Sequence, residues 1–234
     1  QSMSVSVYRG AFMSDILALI PAFSEAERIV PVVREALLHL PVLVVDDGST
    51  DGTARAAEEA GATVVRHERN RGKGAALKTG FGWALRADFE AVLTLDADGQ
   101  HAPAEIPGFV GAYAARGADL IVGTRKFVQM PLTRRIANTV GRAALSWALR
   151  QRVEDNQSGY RLISRRLIDL TLDSPEEGYE FEVEMLVQAV LHNLPVEWLP
   201  IRTIYAGESS HIRPWCHTVN FFRLVARTRR RLTR

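Results

Sequence analysis

The sequence predicts an α/β protein: a mostly parallel central sheet with helices on both faces, plus a smaller and less regular second part. Three observations predict it. Apolar runs of strand length alternate with stretches of helical spacing through the first half of the chain. The runs are continuous rather than alternating, as strands buried on both sides are. Charged or glycine-rich clusters follow them, and in such sheets ligands bind beyond the carboxyl ends of the strands.

The elements follow in order. Ile16 to Pro21 is a short apolar run. Glu25 to Leu40 has helical spacing, with Ile29, Val32, Val33, Ala36, Leu37 and Leu40 on one face. Val42 to Val45 is a β-rich run ended by Asp46-Asp47-Gly48-Ser49. Asp51 can cap a helix that runs through Ala60 and stops at Gly61. Thr63 to Arg66 is a strand, followed by a glycine-rich loop and a helix from Gly74 to Arg86. Ala91 to Leu95 is a strand that leads into Asp96-Ala97-Asp98. Pro103 to Arg116 is helical and Leu120 to Gly123 a strand. In the second half, Pro131 to Leu149 reads as a helix with a basic face, 155–159 as a loop, and Phe181 to Leu191 as a helix. Val196 to Ile204 reads as a strand, and the tail as an amphipathic helix.

The composition is that of a globular protein, with 234 residues, 47% hydrophobic and 24% charged, which excludes the disordered and fibrous classes. A single cysteine, Cys216, excludes an intrachain disulfide and suits a reducing compartment. No apolar run reaches the roughly 18 residues of a membrane span, and the N-terminus lacks the plan of a signal peptide. A cytoplasmic location is therefore expected. Residues 1–14 are expected to be a tag remnant or N-terminal extension, since Gln1-Ser2 precede Met3 and Met13 offers an alternative start. The net charge is +2, yet six arginines lie between Phe221 and Arg234 and seven basic residues between Arg125 and Arg152, with no acids in either segment. A mildly acidic body thus carries two basic segments, which suit phosphate-bearing partners.

Four motifs carry chemistry. Asp96 and Asp98, placed i and i+2 at a strand end, face the same side and repel unless a cation sits between them. Hard oxygen donors suit Mg²⁺ or Mn²⁺ shared with substrate phosphates. An Asx turn would also explain the pair, but Gln100 and His101 strengthen the metal reading. Asp46 and Asp47 can accept hydrogen bonds from a base or ribose, beyond the capping expected of Thr50 and Asp51. Asn70-Arg71-Gly72-Lys73-Gly74 can bring cations to a diphosphate at a helix N-terminus, although it lacks P-loop spacing. Arg125, Arg134 and Arg135 can bind phosphate in bidentate fashion, whereas Arg142, Arg150 and Arg152 read as solvated. Asp155 is a candidate general base. Glu182 and Glu184 read as capping or solvated residues. His39, His67, His192 and His217 read as structural, and His101 and His211 stay open. Trp147, Trp198 and Trp215 read as packing residues.

The ordered set of motifs resembles the family 2 glycosyltransferases. The matching stretches are Ile20-Pro21-Ala22-Phe23-Ser24-Glu25, the run from Val44 to Thr53, the run from Asn70 to Ala76, and the run from Leu95 to His101. Gly123-Thr124-Arg125 and the run from Asp155 to Arg161 complete the set. The branch it is most similar to is the dolichyl- or polyprenyl-phosphate sugar transferases, a likeness extended by Ile201 to Tyr205 and Ser209 to Ile212. The resemblance implies a GT-A, Rossmann-like fold in one domain over 15–214. A nucleotide-sugar-binding part would span 15–125 and an acceptor part 126–214, with a basic amphipathic helix over 215–234. It implies a metal-dependent, inverting hexosyltransferase with Mg²⁺ or Mn²⁺ as cofactor. The donor would be a GDP- or UDP-linked sugar and the acceptor a polyprenyl phosphate, with a saccharide hydroxyl as the alternative acceptor. Pro21, Phe23, Glu25, Asp46, Asp47, Lys73, Asp96, Ala97 and Asp98 would bind the nucleotide sugar, with Asp96, Asp98 and Gln100 at the metal. Arg125, Arg134, Arg135 and Arg213 would receive the acceptor phosphate, and Asp98, Asp155 and Arg125 would be catalytic. The arginine-rich tail could hold the protein to an anionic membrane surface, on its cytoplasmic face. No nucleic-acid partner is expected. A sugar-phosphate nucleotidyltransferase is a rival class, but it would place its glycine-rich loop directly after the first strand, where Pro21-Ala22-Phe23-Ser24-Glu25 stands instead. The sequence departs from the family at Ser24, where asparagine is usual.

Overall fold

A computed structural model of the chain describes residues 15–125, 132–202 and 214–232. Residues 1–14 lie outside the described residues, as does Arg213. Strands β1 (Ile16–Ala22), β2 (Val42–Asp46), β3 (Thr63–Arg66) and β4 (Ala91–Thr94) alternate with helices α1 (Ile29–Ala36), α2 (Thr53–Glu59) and α3 (Lys73–Arg86). Then come α4 (Ile106–Arg116), β5 (Leu120–Thr124), α5 (Leu132–Leu149), β6 (Arg161–Ser164), α6 (Arg165–Thr171), α7 (Glu180–Leu191), β7 (Val196–Pro200) and α8 (Pro214–Arg231). The seven strands form one mixed sheet in the order β3-β2-β1-β4-β6-β5-β7.

The expected parallel sheet is present. β1 pairs in parallel with β2 and β4, β2 with β3, and β5 with β7. Both faces of the inner strands β1, β2, β4 and β6 are buried, as the continuous apolar runs require. Leu17 and Leu19 of β1 join a core with Phe81, Ile163, Phe181 and Met185, while Ala18 and Ile20 join another with Ile29, Val33, Phe109 and Leu162. In α3, Gly80 lies where any Cβ would collide with the Leu19 side chain, so this helix rides close on β1. That close approach sets the N-terminus of α3, with Lys73, beside the strand ends.

β6 was not anticipated. Its four residues, flanked by Gly159-Tyr160 and the Ser164 helix cap, show no period long enough to read. β6 runs antiparallel to both neighbours, with Arg161 opposite Thr94 on one side and Val122 on the other. The loop that precedes β6 therefore arrives at the edge where β4 and β5 end.

Three expectations need correction. The first helix starts at Ile29, not Glu25: Ser24 stands in left-handed backbone at φ +58°, and Ser49 Oγ (2.9 Å), Thr53 Oγ1 (2.9 Å) and Asp51 Oδ2 (3.2 Å) hold the Ser24, Glu25 and Ala26 amides in a loop. Glu182 and Glu184, expected to cap the helix or stand in solvent, are buried at 5% and 3% exposure and pair with Lys73 and Arg231. Trp147 is not a packing residue: it is 62% exposed, with the Arg229 guanidinium 4.9 Å from its ring centre. The tail helix α8 packs on α5 and α7 and pins itself with its own arginines. Arg227 reaches Glu176 (2.6 Å) and Arg231 reaches Glu184 (2.9 Å).

Candidate active site

The carboxyl ends of β1, β2, β4 and β5 gather the polar clusters at one edge of the sheet. β4 stops at Thr94, so Asp96 and Asp98 lie in the turn beyond it rather than in extended strand. Asp98 Oδ1 accepts the Gln100 N–H at 2.9 Å, an Asx turn completed by Gly99 at φ +79°. The turn and the carboxylate pair are thus the same feature. The Asp96 N–H donates to His101 Nδ1 (3.1 Å), and the His101 ring lies 5.0 Å from that of Tyr160. Burial favours the neutral imidazole and keeps His101 below its usual range despite the Asp96 charge. A neutral ring is what an accepting Nδ1 requires.

Lys73 meets Asp96 across the edge. Its Nζ lies 2.6 Å from Asp96 Oδ1 and 3.1 Å from Glu182 Oε1, on the first turn of α7. Burial alone would lower the ammonium, but Asp96 and Glu182 outweigh it and hold Lys73 well above the ordinary lysine range. Burial alone would likewise raise Asp96, yet the Lys73 charge beside it keeps the carboxyl well below the usual carboxylate range. Gly72, at φ +97°, turns the chain into α3, and a Cβ there would meet the Glu177 carbonyl oxygen at 2.7 Å. Ala75 N–H donates to the same oxygen (3.1 Å), so the segment before α7 clamps the Lys73 loop.

Asp47 anchors that loop from the other side. Its Oδ1 accepts from the Arg71 N–H (3.0 Å) and meets His67 Nδ1 (2.7 Å), and its Oδ2 accepts from the Gly72 N–H (2.8 Å). Asp46 accepts from the Ser49 amide (3.1 Å) and hydroxyl, and meets Arg66 (3.3 Å). Pro21 lies within β1, next to half-exposed Phe23. Glu25 pairs with Arg28 (2.8 Å), and an open cleft of about 500 Å³ is lined by residues 24–28 and Asp51.

The loop before β6 supplies the last wall. Arg125 grips Asp155 in a bidentate pair, Nε to Oδ2 at 2.8 Å and Nη2 to Oδ1 at 2.9 Å, and the Gln157 N–H also donates to Oδ1 (3.0 Å). Thr94 Oγ1 donates to the Gly159 carbonyl (2.7 Å), tying the loop to β4. Arg161, 1% exposed, spends its guanidinium on the backbone carbonyls of Ser158 (2.7 Å), Asn156 (3.4 Å) and Glu182. The sequence motifs include Gly159 and Arg161 without assigning them a role, and Glu182 reads there as a capping or solvated residue. Only the acidic type of Glu182 in a helix near the loop could have hinted at it. Arg134 and Arg135 belong to the first turn of α5, with their side chains outside the described residues.

Among the described residues no three His, Cys, Asp or Glu side chains gather to hold a metal. Two carboxylates, Asp96 and Asp98, are the donors offered beyond β4. Such a partial oxygen set fits Mg²⁺ or Mn²⁺, which fill their remaining positions with water and substrate phosphate.

The family model described as glycosyl transferase family 2 matches residues 18–171. The chain belongs to that family. It is 35% identical to the undecaprenyl-phosphate mannosyltransferase of Micrococcus luteus over 188 residues, 73% of this chain and 75% of the relative. It is 33% identical to the polyprenol monophosphomannose synthase of Mycolicibacterium smegmatis over 203 residues, 79% of this chain and 76% of the relative. Among solved structures it is similar to the glucosyl-3-phosphoglycerate synthase of M. tuberculosis, with a TM-score of 0.69 and 25% identity over 96% of this chain and 81% of that one. That synthase has also been solved with Mn²⁺, UDP-glucose and phosphoglyceric acid.

One residue of this glycosyltransferase tests the site without the core. A Cβ on Gly159 would lie 2.8 Å from Lys73 Nζ and 3.0 Å from each Asp96 oxygen. Those atoms end flexible side chains, so they can swing aside. Gly159→Ala is expected to slow sugar transfer about a hundredfold while moving the thermal midpoint by no more than about 3 °C. Melting curves and initial rates on one preparation check this, and a large loss of midpoint would point to a structural role instead.

Proposed function

We propose that this glycosyltransferase is metal-dependent and inverting, and moves a sugar from a UDP- or GDP-linked donor to a polyprenyl-phosphate-type lipid. The observation that carries the acceptor is the Arg125–Asp155 pair. A hydroxyl acceptor needs a carboxylate to take its proton, and here both Asp155 oxygens accept hydrogen bonds from Arg125. A phosphate acceptor carries its own nucleophilic anion and needs no base. It needs a positioned cation, and the bidentate pair with Asp155 fixes the Arg125 guanidinium at the strand edge. The two relatives named for undecaprenyl and polyprenol phosphate support the same acceptor.

The donor lies across the strand ends, its diphosphate toward Asp96, Asp98 and Lys73. Mg²⁺ or Mn²⁺ held by Asp96 and Asp98, with Gln100 alongside, would supply Lewis-acid neutralisation of the leaving diphosphate. A lipid phosphate oxygen, steered by Arg125 with Arg134 or Arg135, forms a bond to C1 from the face opposite the diphosphate. The C1–O bond to the diphosphate breaks, and the nucleoside diphosphate leaves with the electron pair. Asp47 serves the donor by holding the Lys73 loop in place.

A lipid acceptor also gives the exposed apolar residues a use. Val140 and Trp147 are 51% and 62% exposed and sit two turns apart on one face of α5. Arg150 follows them, Arg152 lies beside Glu154 (3.6 Å), and exposed Arg223 lies on the neighbouring α8. An apolar strip among arginines suits peripheral binding to an anionic membrane, at about 1 kcal/mol per basic residue near the surface. No described helix is long and apolar enough to cross one. Arg227 and Arg231 are occupied by Glu176 and Glu184.

The test offers UDP- and GDP-linked hexoses with Mn²⁺ to the full chain, and either a polyprenyl phosphate or free saccharides as acceptor. Transfer to the polyprenyl phosphate, with release of a nucleoside diphosphate, is expected. Transfer to free saccharides and none to any polyprenyl phosphate would overturn the reading.

A further inference from the structure

We infer that Lys73 is the resident cation of the donor site: it neutralises Asp96 until a divalent cation and the donor diphosphate arrive, and Glu182 then holds its ammonium. The inference rests on the metal-dependent reading above and adds a positioning role for Glu182.

Three observations carry it. First, one ammonium sits between two carboxylates from different elements, 2.6 Å from Asp96 and 3.1 Å from Glu182. Lysine is a compact point charge on a flexible stem, able to shift from one carboxylate to the other by a small rotation. Second, the way out is one-sided. Gly159 stands so close that even a methyl group would press on Nζ and on both Asp96 oxygens, which closes that side. Glu182 stands on another, with the Tyr179 ring 5.7 Å from Nζ. Third, Glu182 serves as a buried counter-charge, to Lys73 at 3.1 Å and to the nearby Arg161 guanidinium. It is 5% exposed, and a carboxylate buried that deeply requires a partner. The nearby Arg161 gives its hydrogen bonds to backbone carbonyls, Glu182's own among them, and the described ion-pair partner of Glu182 is Lys73.

The consequence concerns order of binding. A divalent ion approaching Asp96 meets an ammonium already on that carboxylate, and the two cations repel. The metal alone therefore binds weakly. With a diphosphate present, the added negative charge accommodates both cations, and Glu182 gives the ammonium a partner when it leaves Asp96. Metal and nucleotide thus bind as a pair.

The experiment titrates Mn²⁺ into the full chain, reading free ion by electron paramagnetic resonance, with and without UDP or GDP. Lys73→Met keeps the stem and removes the charge. Without nucleotide it is expected to bind Mn²⁺ roughly tenfold or more tighter than the unaltered chain. The double variant Lys73→Met/Glu182→Gln removes one charge of each sign, spares the buried site an unpaired Glu182, and is expected to tighten Mn²⁺ binding in the same direction but less, about threefold or more. It decides the matter where Lys73→Met alone does not fold. Glu182→Gln by itself is expected to weaken Mn²⁺ binding in the presence of nucleotide, because Lys73 then has Asp96 alone. Mn²⁺ binding that Asp98→Asn weakens but that neither Lys73 variant tightens would overturn the inference and leave the metal-dependent reading standing. No Mn²⁺ binding by any form, with either nucleotide, would overturn both.

Discussion

Asp98→Asn is expected to slow sugar transfer about a thousandfold, equivalent to about 4 kcal/mol of lost transition-state stabilisation, in a protein that still folds. The substitution is conservative where structure is concerned. An asparagine side-chain oxygen can still accept the Gln100 N–H that Asp98 accepts at 2.9 Å, so the turn through Gly99 survives. What goes is one of the two anionic groups beyond β4 that could share a divalent ion with a departing diphosphate. Ligand-dependent melting separates this from a folding defect. A nucleotide at a hundred times its Kd adds about 2.7 kcal/mol of stability. With Mn²⁺ present the unaltered chain is expected to gain it from the nucleotide that matches its donor, and the variant to lose most of it. Full transfer activity in Asp98→Asn would remove Asp98 from the metal site.

Asp47→Ala is expected to have the larger effect on stability, about 3–5 kcal/mol. Sequence reasoning places Asp47 with the nucleoside. In the structure its carboxylate, 3% exposed, is engaged by the Arg71 and Gly72 amides and by His67. Removing it strands two backbone N–H groups and a buried ring nitrogen, each costing more than an average hydrogen bond because the acceptor was charged. Urea denaturation measures the loss. Asp47→Asn, which keeps an acceptor, is expected to lose roughly half as much. If Asp47 instead acted on the nucleoside, Asp47→Ala would raise the donor KM and leave the denaturation midpoint in place.

The first four strands and their helices were legible because each obeys a local rule. Val42 to Val45 and Ala91 to Leu95 are apolar throughout, as strands covered on both faces are, and α3 keeps helical spacing from a glycine-rich start. The motifs at their ends were legible for the same reason: a parallel sheet delivers Asp46, Asp96 and Arg125 to one edge whatever the rest of the chain does. Trp147 misled because composition alone treats a large aromatic as interior, while its place on α5 leaves it facing out.

What the sequence by itself determined, then, is the parallel half of the sheet and the edge where chemistry gathers, since both follow from short-range periodicity. The tertiary structure alone decided how that edge is closed. β6 runs antiparallel between β4 and β5, so the Asp155 to Gly159 loop reaches the same edge and brings Asp155 to Arg125. It also seats Gly159 against the Lys73–Asp96 pair, while α7 turns Glu182 inward to Lys73 over a sequence separation of 109 residues. Strand direction and long-range ion pairing leave no local pattern in a chain, because each is chosen by packing partners that meet only once the sheet has formed.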